Sequence, residues 1–133
     1  MTGRITEDEI RDLVFTFYDR VRQHEMLGPV FEHTLGGRWE AHLEKMCDFW
    51  SGVLLATGRF RGNPVRAHME VPGIRPEHFE RWLELFEATA FETLRPHIAA
   101  DVVGRATRMR IVLERAACAA QGDPAETRGV TPG

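Results

Sequence analysis

Gly62-Asn63-Pro64-Val65-Arg66-Ala67-His68-Met69-Glu70-Val71-Pro72-Gly73 is the stretch whose reading decides the fold. Gly62-Asn63-Pro64 breaks structure before Val65 and Pro72-Gly73 breaks it after Val71, so a turn or two of helix is the most that fits between them. A histidine, His68, stands inside this short piece. Outward toward the C-terminus, Pro76 suits the first turn of a helix, and Glu77 sits near its positive end. That helix has Phe79, Trp82, Leu83, Phe86 and Ala90 on one face. Pro96 opens the last helix, where Ile98, Val102, Met109, Val112 and Leu113 are apolar.

Outward toward the N-terminus lies a loop rich in glycine and arginine, Gly58-Arg59-Phe60-Arg61-Gly62-Asn63-Pro64. Before it, a helix is expected from about Arg38 to Ala56, with Trp39, His42, Leu43, Met46, Trp50, Val53 and Leu54 as its apolar stripe. At the start of the chain, Thr6 and Glu9 make a capping-box pair, and Ile5 can staple onto Ile10. Ile10, Leu13, Val14, Phe17, Tyr18 and Val21 then repeat at i, i+3 and i+4. Gly28-Pro29 is expected to end this first segment, with Val30 and Phe31 in a connection closed by Gly36-Gly37. There is no internal repeat and no strand pattern longer than a few residues. The class is all-α.

The chain has 133 residues, which is one domain with a sizeable core. The division expected is a folded domain over 1–120 and a disordered tail over 121–133, which holds two prolines, three glycines and few apolar residues. A formal charge of −3 offers no basic excess for nucleic acid or an anionic membrane. No apolar run approaches a membrane span, and the N-terminus does not read as a signal peptide. Cys47 and Cys118 form neither CxxC nor CxxCH, which fits a reducing cytoplasm and leaves no motif for covalent haem attachment. Cys47 reads as a small core residue.

Polar-tipped side chains on apolar stripes carry the functional signal. Tyr18 is the single tyrosine. Buried, its hydroxyl needs a partner, since an unpaired one costs roughly 1–3 kcal/mol. His42 lies on the stripe of the second helix and Trp82 on that of the helix after His68. Taken singly, each has an ordinary reading: Tyr18, His42 and Trp82 as core or rim residues, His68 as a helix-end cap. Taken together, two histidines on separate elements beside aromatic side chains suggest a buried flat cofactor with a metal at its centre, which is haem.

The order of elements resembles that of the truncated haemoglobins, most closely their group III. The resemblance runs from about Glu7 to Ala117. It rests on Phe17-Tyr18-Asp19-Arg20-Val21, Leu27-Gly28-Pro29-Val30-Phe31, Trp39-Glu40-Ala41-His42 and Phe49-Trp50-Ser51-Gly52. It continues through Asn63-Pro64-Val65-Arg66-Ala67-His68 and Phe79-Glu80-Arg81-Trp82-Leu83-Glu84-Leu85-Phe86. The pieces are specific jointly, in this order and spacing. The resemblance implies a truncated globin fold, a two-over-two helical sandwich in which the first two helices and the last two form packed pairs around haem. The glycine pairs of other truncated groups are mostly missing here, which favours group III.

Carried over residue by residue, the resemblance implies that His68 is the proximal metal ligand. Its second ring nitrogen would donate to a nearby carbonyl. Tyr18, His42 and Trp82 match the distal residues that stabilise or gate the ligand. Phe31, Met46, Phe60 and Trp82 would pack on the porphyrin, and Lys45 and Arg66 are candidate propionate partners. The cofactor implied is haem b, iron protoporphyrin IX. The ligands implied are dioxygen, nitric oxide and carbon monoxide, with peroxide and cyanide as further candidates.

Three donors in a dry pocket would slow ligand release. That suits redox chemistry, nitric oxide dioxygenation or peroxidase-like peroxide reduction, better than transport. Turnover needs electrons, and the chain has no flavin or nicotinamide motif, so a separate reductase is implied. A monomer is expected, with neither nucleic acid nor membrane as partner. Two other classes stay open: a haem-based sensor or carrier without turnover, and a haem-free helical binding module whose aromatic residues are only core. A non-haem metal enzyme is disfavoured by the absence of HExxH, and His24, His33, His78 and His97 are expected on solvated surface.

Overall fold

Thr6 starts the first helix as its sequence requires. Its backbone N–H donates to Glu9 Oε1 at 2.9 Å, and Glu9 N–H donates back to Thr6 Oγ1 at 3.1 Å. This reciprocal pair satisfies two backbone donors that the first turn leaves without helical partners. Ile5 and Ile10 are both buried in the same cluster, as a staple across the cap demands. The computed structural model describes residues 4–121. Among them run α1 (Glu7–Gln23), α2 (Leu27–Leu35), α3 (Trp39–Leu55), α4 (Pro64–Met69), α5 (Pro76–Thr93) and α6 (Pro96–Ala120). The expected tail over 121–133 lies outside the described residues, apart from Gln121, which caps the end of α6.

Every residue of the stripe on α1 is buried: Ile10, Leu13, Val14, Phe17, Tyr18 and Val21. With its apolar face covered, α1 packs against α2, α3 and α5, while α6 packs against α5 and α4. The pairs α1/α3 and α5/α6 are therefore the two layers of the sandwich, joined where α1 meets α5. Phe17 and Phe86 meet edge to face at 5.2 Å on that joint. Each buried phenyl stabilises the fold by about 2–3 kcal/mol in area alone. Trp82, Phe86 and Trp50 then stack in a column, at 5.3 Å and 5.4 Å between successive rings. Large rings, more than close backbones, connect α5 to α3.

Two ion pairs fix the ends of the α1–α5 and α1–α6 contacts. Arg20 reaches Glu92 at 2.7 Å and also donates to the buried Thr89 hydroxyl at 3.2 Å. Arg95 reaches Glu9 at 2.8 Å and pulls the Glu9 carboxyl below its ordinary pKa. Their contribution is mainly alignment, since partly exposed pairs stabilise by at most about 1 kcal/mol.

One expectation is corrected. Gly28-Pro29 does not end a helix here; it lies inside the first turn of α2, and Val30 and Phe31 are helical. The first-turn N–H groups have no intrahelical acceptor, so a proline there forfeits nothing. Gly28 is needed for a different reason. A Cβ at this position would come within 2.8 Å of the Arg22 carbonyl oxygen, where α2 turns back on the end of α1.

Candidate functional site

His68 sits on α4, a helix of six residues. Asn63 caps it by accepting from Arg66 N–H at 3.1 Å, and Pro64 supplies the first helical position. Within this turn, His68 Nδ1 lies 2.7 Å from the Pro64 carbonyl oxygen. A carbonyl can only accept, so the proton is on Nδ1 and the lone pair is on Nε2. A neutral imidazole oriented through its other nitrogen is the arrangement a metal-ligating histidine adopts. His68 is half-buried, with the Phe79 ring 6.0 Å away.

Three other helices bring the remaining groups together. Tyr18 of α1 is 6% exposed, and its ring meets His42 of α3 at 5.0 Å, edge to face. Phe31 of α2 closes the triangle, 5.8 Å from Tyr18 and 6.3 Å from His42. Burial raises the Tyr18 phenol well above its ordinary pKa, and a hydrogen bond with the Trp82 side chain on α5 offsets part of that. Phe17 separates the two layers here, its ring 5.7 Å from that of Trp82.

His42 is the unusual member. Its Nε2 is buried and has no hydrogen-bond partner among the described residues. Burial pushes its pKa down to about 4, helped by the positive charge of Lys45. A neutral imidazole with an unpaired buried nitrogen costs roughly 1–3 kcal/mol unless something occupies the space beside it.

The other expected site residues are distributed unevenly. Met46 and Phe31 are half-buried against the core, and Phe60 meets Phe49 edge to face at 5.2 Å. Lys45 is exposed one residue before Met46 on α3. Arg66 is exposed, and among the described residues its side chain holds Glu70 alone, at 3.4 Å. An exposed i, i+4 pair of this kind is weak, so its guanidinium is available to another anion. Two histidines expected on solvated surface have structural work instead. His24 Nδ1 accepts from the N–H groups of Met26 and Leu27, and His78 Nδ1 accepts from Arg75 N–H. Both cap helix starts, and their position just ahead of or inside a first turn was the available signal. His33 and His97 are exposed.

Known proteins agree with this arrangement. No family model matches the chain. A group 3 truncated haemoglobin of Campylobacter jejuni is 38% identical over 86 residues, which span 62% of this chain and 68% of that protein. The crystal structure of a group III truncated haemoglobin from the same organism superposes with a TM-score of 0.81 at 30% identity, covering 86% of this chain and 92% of the other. The chain belongs to the group III truncated haemoglobins. Membership implies haem and a small ligand for it. The truncated haemoglobin fold also accounts for the separation of α3 from α4. One packs on α1 and the other on α6, with His42 and His68 on these two separately anchored helices.

The residues present fit haem. Among the described residues, one histidine has its Nδ1 tied to a carbonyl, the other keeps a buried Nε2 without a hydrogen-bond partner, and the buried Tyr18 ring lies 5.0 Å from the second, with Trp82 acting on that phenol. Among the described residues no group of three or more His, Cys, Asp or Glu is arranged to hold a metal ion by itself. No helix of the described residues is long and apolar enough to cross a membrane.

Proposed function

We propose that this truncated haemoglobin binds haem b between α3 and the α4–α5 segment, with His68 as proximal ligand, and carries out redox chemistry on a bound diatomic gas. The observation that carries this reading is the 2.7 Å contact from His68 Nδ1 to the Pro64 carbonyl, which supports a proton on Nδ1 and an Nε2 suited to ligate a metal. His68 would hold the iron of a bound haem, which would supply redox-active binding of a diatomic gas.

The chain's own residues do the rest. Tyr18 stays protonated, because burial holds its phenol far above physiological pH, so it acts as a donor. Trp82 carries an indole N–H, which can only donate. His42 stays neutral, so it places no positive charge beside the iron, and its Nε2 is free to meet the ligand or a water. Donors held in a water-poor site are worth more than in water and need no reorganisation. Phe31, Met46 and Phe60 supply apolar contact to the porphyrin, and Lys45 and Arg66 supply positive charge for its propionates. Three donors at one ligand favour retention, which suits nitric oxide dioxygenation or peroxide reduction over transport. Either reaction draws electrons from a separate reductase.

The test is the absorption spectrum of the haem-supplied protein, oxidised, reduced and exposed to carbon monoxide, followed by nitric oxide and peroxide consumption with a generic flavin reductase. A Soret band that shifts with carbon monoxide, together with catalytic consumption of nitric oxide in the presence of dioxygen or of peroxide, is expected. A protein that takes up no haemin would overturn the haem reading. Normal gas binding without turnover would leave the sensor or carrier in its place.

A further inference from the structure

The helix that carries His68 is short and rests on α6. It has six residues, too few to be stable alone, and none of them is buried. Its orientation is therefore set from outside. Val71 and Ile74, just beyond α4, join a small cluster with Phe79, Leu113 and Ala117, so the turn after α4 rests on the end of α6. The end of α4 is closed by Val71 N–H, which donates to the His68 carbonyl at 3.3 Å.

Gln121 completes this contact. Its Nε2 donates to the Val71 carbonyl at 2.9 Å, and its Oε1 accepts from Gly73 N–H at 3.1 Å. One side-chain amide thus holds a donor and an acceptor of the same backbone turn. Gly73 has φ +74, a conformation that other residues rarely adopt, so the shape of the turn depends on glycine there. Gln121 is itself held, because its N–H donates to the carbonyls of Ala117 and Cys118 at the end of α6. Its amide therefore ties the turn behind the proximal helix to a helix end 48 to 50 positions away in the chain.

We propose that Gln121 is a positioning residue for the proximal histidine: it locks the turn that follows α4 to the end of α6 and so sets the tilt of the His68 imidazole. The path has three links: the Gln121 amide to Val71, Val71 N–H to the His68 carbonyl, and His68 Nδ1 to Pro64. Without the amide, the turn keeps its apolar contacts but loses the directional constraint. This inference rests on the reading of His68 as the haem ligand.

The experiment compares the haem-loaded full chain with Gln121→Met, which keeps the side chain's length and removes both hydrogen bonds, and Gln121→Glu, which keeps only the acceptor for Gly73. His68→Ala is made in parallel. The readouts are the iron–histidine stretching band of the ferrous protein by resonance Raman, and the rate of haemin transfer to excess apomyoglobin. Gln121→Met is expected to shift or broaden the band and to speed haemin loss about five- to tenfold, the scale of one to two net hydrogen bonds. Gln121→Glu is expected to fall between it and the parent. An unchanged band and unchanged haemin loss in Gln121→Met would overturn the proposal, whatever happens to the melting temperature. A parental spectrum from His68→Ala would overturn the proximal assignment itself, and this inference with it.

Discussion

The Pro64 carbonyl oxygen accepts a 2.7 Å hydrogen bond from His68 Nδ1, one helical turn along the same short helix. Proline contributes twice here. Its ring opens α4 at the first helical position, and its carbonyl, four residues before His68, selects the imidazole tautomer. His68 and the carbonyl that orients it come from one six-residue element, so both move together.

His68→Gly should therefore abolish stable haem binding, and free imidazole should restore a haem spectrum by occupying the vacated position. Absorption titration with haemin, with and without imidazole, checks this. Tight haem uptake by the glycine variant in the absence of imidazole would remove His68 from the site.

Tyr18→Phe and Trp82→Phe each delete one donor from the same place. Each should speed ligand release several-fold, the effect of about 1 kcal/mol per hydrogen bond. The double variant should depart from the product of the two, because the Tyr18 hydroxyl and the Trp82 side chain also bond each other. Stopped-flow dioxygen dissociation measures all three. Off-rates equal to the parent's in both single variants would mean that neither group touches the ligand.

His42 gives the protein an acid limb. In the unfolded chain it takes a proton near pH 6.5, whereas burial in the folded chain holds it neutral to about pH 4. Between those values the unfolded state binds more protons, so stability falls as pH drops through the window and levels off below it. The loss is at most about 3.5 kcal/mol, since each tenfold difference in proton affinity between the two states corresponds to about 1.4 kcal/mol. Urea unfolding of the haem-free chain from pH 7 to pH 4 should show this slope, and His42→Leu should flatten it. Parallel slopes for the two proteins would show that His42 is not held neutral.

Thr6→Ala removes the hydroxyl that accepts from Glu9 N–H. A loss of about 1 kcal/mol in folding stability is expected, without any change in the haem spectrum. Denaturant melts paired with absorption spectra separate the two effects. A change in the Soret band would indicate that the start of α1 communicates with Tyr18.

Much of the fold is legible in the sequence because its signals are local. The Thr6–Glu9 box, the prolines at 76 and 96 and the apolar stripe on α1 each act within one or two turns of chain, where spacing and geometry are almost the same thing. The bounds of α3 follow within a residue for the same reason. Pro29 misled because proline reads as a terminator, whereas in a first turn it is tolerated. His24 and His78 were assigned to solvent because a histidine cap has no pattern as plain as that of serine or aspartate.

The sequence by itself determined the all-helical class, the short isolated helix around His68 and, through resemblance, the family. Tertiary structure alone decided that Tyr18, His42, Phe31 and Trp82, from four helices, share one place. It also decided that His42 Nε2 lacks a hydrogen-bond partner among the described residues and that Gln121, forty-eight positions from Gly73, closes the turn behind α4. The reason is physical. Helix starts and stripes depend on neighbours in the chain, but burial, pKa and a side-chain amide's choice of backbone partner depend on what packing brings near, and nothing in the spacing of residues encodes that directly.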